Sequence, residues 1–190
     1  MINETQTKGI ILLGFIGFVL LLFYDMASLK KVKNRFVLSI LGYGIQAYAI
    51  IWAALRTEMR FVGEWVMWLG LPVALAGLSW LLYCLFLFPP IRKTYQDVNG
   101  PVLTTQGPYA LCRHPGIYGY SAFVLGLALL TRSELLFVSG CIWSCINVGY
   151  VFLQDRFIFG SLLSGYQDYR NHTPMLIPNE ASVKKFWKTK

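Results

Sequence analysis

Charge is the scarce ingredient of this chain: 14% of its 190 residues are Asp, Glu, Lys or Arg, against 56% hydrophobic. A soluble domain of that length needs far more charge to cover its surface, so a water-soluble globule is excluded. Cysteine is scarce as well. Cys84, Cys141 and Cys145 lie inside apolar runs and Cys112 in a loop, so the four make no disulfide framework. Cys141 and Cys145 stand i, i+4, at best half a metal site, and none is expected. With Gly140, Ser144 and Gly149 they read instead as a small-residue notch for close helix contact. No internal repeat is visible. The net charge is +8, but the basic residues are split among loops rather than gathered in one stripe, which argues against nucleic acid.

Long apolar runs are what the chain has in abundance. Gly9 to Leu29, Phe36 to Leu55, Trp65 to Phe88 and Leu135 to Leu153 reach or approach the roughly 20 helical residues that cross a bilayer. Ile117 to Leu130 is shorter and gains length if the polar residues before it sit among headgroups. The expected fold is therefore an all-α integral membrane domain of about five transmembrane helices, with residues 1–190 forming one unit. Residues 9–88 form a three-helix scaffold, 89–178 a loop, a helical hairpin and a C-terminal helix, and 179–190 a basic tail. The first run is not a cleaved signal, because Lys30, Lys31, Lys33 and Arg35 follow it at once. With five spans, 13 of the 17 lysines and arginines fall on the side of the C-terminus. The positive-inside rule places that side in the cytoplasm.

Two polar clusters flank the last apolar hairpin: Gly107-Pro108-Tyr109-Ala110-Leu111-Cys112-Arg113-His114-Pro115 and Gln154-Asp155. Ionisable residues are costly near a bilayer, so folding is expected to bring these together as a site at the membrane surface. Turn signals at Asn99-Gly100-Pro101 and Gln106-Gly107-Pro108 would leave backbone N–H and C=O groups free for a ligand. Pro115 suits the first turn of a helix, which sets Arg113 and His114 at its anion-favouring mouth. Beyond the last span, Asp155 to Asn171 reads as one amphipathic helix, with Ile158, Leu162, Tyr166 and Tyr169 on a stripe that would roof the site. Lys184 to Lys190 suits anionic headgroups. In the scaffold, Asp25 and Gln46 are the main polar residues, and Asp25 is read as reaching headgroups or a basic neighbour.

Gly107-Pro108-Tyr109, Arg113-His114-Pro115, the following apolar helix, Gln154-Asp155, then Tyr166, Tyr169 and Pro174 to Pro178 resemble the membrane-embedded methyltransferases. These are the isoprenylcysteine carboxyl methyltransferase and phospholipid methyltransferase relatives, and the resemblance covers residues 92 to 178. It implies transfer of a methyl group from S-adenosylmethionine to a lipophilic acceptor, a prenylcysteine carboxylate or a lipid. It also implies cofactor contacts from Val102, Leu103, Thr104, Tyr109, His114, Pro115 and Gly116, with Gln154 and Asp155 in place of an acidic pair. Catalytic roles fall on Arg113, His114 and Asp155, with Arg113 either holding an anionic substrate group or pairing with Asp155. The chain departs from the family pattern at three places. Ile117 stands where Tyr is common, Gln154 where Glu is expected, and no Arg lies near Tyr150, where carboxyl methyltransferases have one. Carboxyl methylation is therefore less supported than methyl transfer itself.

Two other classes fit the residues less well. An NADPH-dependent sterol-type reductase carries His-Pro-Asn-Tyr followed by Gly-Glu, whereas His114-Pro115-Gly116-Ile117-Tyr118-Gly119-Tyr120 lacks the Asn and the Glu. A non-catalytic lipid-binding or transport protein would keep its polar residues at mid-membrane rather than at one end.

Overall fold

The computed structural model describes residues 4–56, 63–88 and 103–188, and among them the chain is helical with no strand. Among the described residues, four helices are long and apolar enough to cross a membrane. They are α1 (Glu4–Leu29), α2 (Phe36–Ala54), α3 (Val66–Leu82) and α6 (Glu134–Leu153). Wide π turns extend α3 over Tyr83–Leu87 and α6 over Gln154–Ile158. The hairpin helix α5 (Gly116–Thr131) is shorter, at 16 residues. Among the described residues, α7 (Phe159–Leu162) continues the fourth span, and three small helices lie outside the long spans: α4 (Pro108–Leu111), α8 (Tyr166–His172) and α9 (Glu180–Lys188). The all-α membrane architecture matches the expectation.

Packing rests on glycine where backbones must approach. On α3, a Cβ added to Gly77 would lie 2.3 Å from the backbone nitrogen of Phe123. On α5, one added to Gly126 would lie 2.4 Å from that of Ala74, and Gly70 and Gly119 are equally tight. This is the close seam of the fold, since without water to expel, membrane helices gain by letting backbones touch. The expected notch on α6 is not the seam. Cys141 and Cys145 are exposed, Gly149 has nothing within 4 Å, and Gly140 meets the side chains of Val124 and Leu125 rather than a backbone. The apolar core lies between α1, α2, α5 and α6 around the fully buried Trp143. Its indole donates to the carbonyl of Ile11 at 3.2 Å, in space that Gly14 leaves open. Ser133 caps α6 by accepting from Leu136 N–H, and its hydroxyl donates to Ala53 at the end of α2.

One C-terminal expectation is corrected. The helix foreseen over Asp155–Asn171 breaks after Leu162, where Leu163 is extended and Gly165 takes the left-handed φ of +76°. Glycine meets that conformation without strain, so the chain turns back there instead of continuing. Within the basic tail, Glu180–Lys188 forms helix α9. Asn179 and Ser182 exchange side-chain bonds with each other's N–H at 2.9 and 3.0 Å, a reciprocal cap that starts it.

Candidate active site

The ends of α1, α3 and α6 and the start of α5 share one end of the bundle. Trp80 on α3 donates to the carbonyl of Pro115 at 2.9 Å, and Gln154 after α6 donates to Asp25 near the end of α1 at 2.8 Å. The loop entering α5 therefore lies across the bundle end. Its turn needs Gly107, whose φ is +56° and whose place for a Cβ is taken by the Phe88 ring, 2.4 Å away.

At the centre is a buried ion pair. Arg113 Nε and Nη2 donate to Asp155 Oδ1 and Oδ2 at 2.7 and 3.0 Å, a two-pronged contact between the loop and the end of α6. Asp155 is 4% exposed and also accepts the Tyr166 hydroxyl at 2.5 Å. Arg170 Nε stands 3.6 Å from its second oxygen. Arg113 Nη1 donates to the carbonyls of Arg170 and Thr173. One guanidinium thus ties the α5 entrance, the α6 end and α8 together, with every prong on a partner. Of the two roles left open for Arg113, the geometry takes the pairing with Asp155.

His114 stacks on Phe159, with centroids 5.7 Å apart, and Phe159 meets Tyr166 edge-on. Its Nε2 lies 3.5 Å from Asp155 Oδ1, beyond a well-formed hydrogen bond, and is otherwise buried without a partner. Burial pushes the His114 pKa down, and the nearby Asp155 carboxylate only partly opposes this. The ring is therefore held neutral. Because the unfolded chain takes up a proton in the ordinary histidine range and the folded chain does so only at lower pH, acid favours unfolding. We expect the melting temperature in detergent to decline as pH falls below that ordinary range, and His114→Gln to flatten the decline. An equally steep decline in the variant would remove His114 from this role. The Tyr166 hydroxyl is pushed up by burial and by its bond to Asp155, so it stays a donor.

The site residues foreseen from sequence divide into groups. Arg113, His114 and Asp155 come together as expected. Gln154 does not join them. It turns to the other side of the α6 end, where its amide donates to Asp25 Oδ2 and to the Tyr150 hydroxyl at 2.8 Å each. Tyr150 donates to the same carboxylate oxygen at 2.7 Å. Asp25 is 5% exposed and, among the described residues, has no Lys or Arg within ion-pair reach, so neither a headgroup reach nor a basic partner describes it. Tyr109 is engaged through both its ends: its hydroxyl donates to Cys84 at 3.2 Å and its carbonyl accepts from Tyr169 at 2.7 Å. Pro115 precedes the first residue of α5, Gly116, as foreseen. Four of the loop amides expected to be free are spent: Arg113 and His114 N–H go to Pro174 and Met175, and those of Tyr109 and Ala110 to Gln106 and Gly107. Val102 lies outside the described residues. Leu103 sits against Gly165, and Thr104 is buried with its hydroxyl unpartnered.

Sequence reasoning missed Thr173, whose carbonyl holds Arg113 and whose buried hydroxyl is unpartnered. It also missed the Asp25–Tyr150–Gln154 cluster. Nothing local marks Thr173, but Asp25 was a carboxylate inside an apolar run, a signal in itself.

Comparison with known proteins fits this geometry. Residues 65–157 match the phospholipid methyltransferase family, a stretch that runs from α3 to the π turn holding Asp155. It therefore takes in the third span, which sequence reading had left outside the resemblance. The cobalt-zinc-cadmium resistance protein CzcN of Cupriavidus metallidurans is 30% identical over 124 residues, covering 63% of this chain and 54% of that protein. The chain thus spans about half the length of that curated relative. Among the described residues, no group of three or more His, Cys, Asp or Glu is placed to hold a metal ion. No solved structure matches. The matched segment carries the seam, the hairpin and the Asp155 side of the buried ion pair, so the part of the chain that builds the site is similar to the phospholipid methyltransferase family.

Proposed function

We propose that the chain moves a methyl group from S-adenosylmethionine to a lipophilic acceptor, at the end of the bundle that its basic loops turn toward the cytoplasm. The observation that carries this is a set of buried polar atoms without hydrogen-bond partners: His114 Nε2 and Thr173 Oγ1 on residues that touch the ion pair, and Thr104 Oγ1 in the loop before it. Such atoms are costly unless something bonds them, so they fit a polar ligand better than a sealed core. The threonine hydroxyls, each able to donate and accept, suit ribose hydroxyls or an adenine edge. Arg170, partly exposed and beside Asp155, suits a carboxylate. Asp155 is already bonded by Arg113 and Tyr166, so its part is to fix those groups rather than to hold the ligand directly.

S-adenosylmethionine, when bound, supplies a methyl group already activated on a sulfonium. The protein's work is then alignment and exclusion of water, worth on the order of 7–11 kcal/mol of barrier when well done. Phe159, Leu103 and Tyr166 supply apolar walls. A neutral His114 can take the proton that an amine or thiol acceptor releases as its new bond to carbon forms. The acceptor's chain has a place on the other side of the α6 end: a groove of about 280 Å³ lined by Leu22, Met26, Leu29, Leu153, Phe157 and Ile158. Beside it stands Asp25 with Tyr150 and Gln154. A buried carboxyl there, bonded by Tyr150 and Gln154 and with no cation beside it among the described residues, offers a carboxylate acceptor no counter-charge and favours a neutral or cationic head. Tyr150 bonds Asp25 in the place where the carboxyl methyltransferases have an arginine.

S-adenosylmethionine or its demethylated product should raise the melting temperature of the detergent-purified chain, by an amount equivalent to about 2.7 kcal/mol at a hundredfold excess over Kd. NADPH should not. Thr104→Val and His114→Ala should each shrink the shift. A shift with NADPH alone would favour the reductase reading. With radiolabelled donor, lipids bearing amines or thiols should take label ahead of prenylcysteine carboxylates; the opposite order would sink the role given to Asp25.

A further inference from the structure

Helix α9 lies outside the membrane spans, yet it and its lead-in present bare apolar side chains. Ile177 is 82% exposed, Trp187 63% and Val183 38%. Val183 and Trp187 form one i, i+4 row along α9. The neighbouring row is Lys184 and Lys188, and three lysines stand on the helix against one acid, Glu180. The opposite face is anchored: Ser182 is buried, and α9 packs on α4, the short helix at Pro108–Leu111. An indole and an isoleucine in water beside a lysine row are poorly placed. The same rows match a headgroup layer, where indole rings settle and ammonium groups meet phosphates.

We infer that α9 and Ile177 form a docking surface for anionic lipid headgroups, and that docking clamps the loop leading into α5. The chain between them transmits it. Carbonyls of Pro174 and Met175 accept from the N–H of Arg113 and His114, and that of Leu176 accepts the Tyr118 hydroxyl at 2.7 Å. Residue 177 follows directly, and then Asn179 caps α9. The segment from Thr173 to Lys188 therefore grips the loop at two places, along Arg113–Tyr118 and over α4. Seating Ile177 and Trp187 in the headgroup layer removes the freedom of that segment, and with it the freedom of the loop to open. The occupant is a lipid surface and not a free anion, because the lysine row is flanked by apolar side chains that only a bilayer interface would cover. The inference stands apart from the proposed methyl transfer and is tested without it.

Hydrogen exchange on the full chain in phosphatidylcholine nanodiscs, with and without phosphatidylglycerol, reads this directly. Exchange over residues 180–188 should slow on the order of tenfold with the anionic lipid, given the attraction of each lysine near a charged surface. The loop over 107–116 should slow in parallel, by a smaller factor. Lys184→Gln with Lys188→Gln, or high salt, should erase the difference. Ile177→Ser with Trp187→Ser should erase it too. Equal exchange in the two lipids would overturn the docking surface. Protection of 180–188 with no change over 107–116 would overturn the clamp. Slowing by inorganic phosphate in neutral discs would overturn the assignment to lipid.

Discussion

Asp155→Ala lowers the melting temperature of the detergent-solubilised chain by the equivalent of roughly 3–5 kcal/mol, the cost of leaving a buried charge without its partner. The reason is the number of elements that meet there. Arg113 reaches Asp155 with two prongs and the carbonyls of Arg170 and Thr173 with a third nitrogen, and Tyr166 closes the carboxylate. Removing the carboxylate leaves a 9% exposed guanidinium held among carbonyls, and Tyr166 loses its acceptor. Asp155→Asn, which keeps an acceptor but no charge, should cost less. The double change Arg113→Met with Asp155→Ala should recover much of the loss, because no orphaned charge remains. Additive effects in the double variant would mean the two side chains act apart, contrary to the bidentate contact.

Gly77→Ala is the second large effect. In most helices that exchange is mildly stabilising, by up to about 1 kcal/mol. Here the new methyl would stand 2.3 Å from the Phe123 nitrogen and 2.8 Å from the Ala122 carbonyl carbon, both backbone atoms that have no rotamer to escape into. The two helices must separate, and overpacking of this kind costs about 1–3 kcal/mol or more. Gly149→Ala is the matched control, with nothing within 4 Å of its added carbon. The two variants should move the melting temperature in opposite directions. If they behave alike, α3 and α5 do not touch as described. The displacement should also reach the site, because Trp80 on α3 holds the Pro115 carbonyl at the entrance of α5.

The seam was legible, though it was not read. Gly70 and Gly77 are seven apart on α3, and Gly119 and Gly126 are seven apart on α5, the spacing of one helix face over two turns. The notch around Cys141 had similar residue types, but Cys141 and Cys145 are exposed and Gly149 meets no neighbour. Small residues say that a backbone can be approached, not that it is. The break at Gly165 was likewise hidden inside a convincing stripe. Ile158, Leu162, Tyr166 and Tyr169 fit a single helix by period. One glycine with positive φ turned the last two inward, so that Tyr166 met Asp155 and Tyr169 met Tyr109.

Other features needed no fold to be seen. Length, hydropathy and the scarcity of charge fixed an all-helical membrane domain, because the cost of an unpaired backbone in lipid leaves few alternatives. The pairing of Arg-His-Pro with an acid at the end of the next long span followed from helix length, since a hairpin returns its ends to the same face. What only the tertiary structure decided was which neighbour each polar side chain would meet. Gln154 and Asp155 are consecutive, yet one bonds Asp25 and the other Arg113. Successive residues on a helical turn point in directions about 100° apart, and the sequence does not say which helix stands in each direction. That was set by glycine contacts and core packing far from either residue.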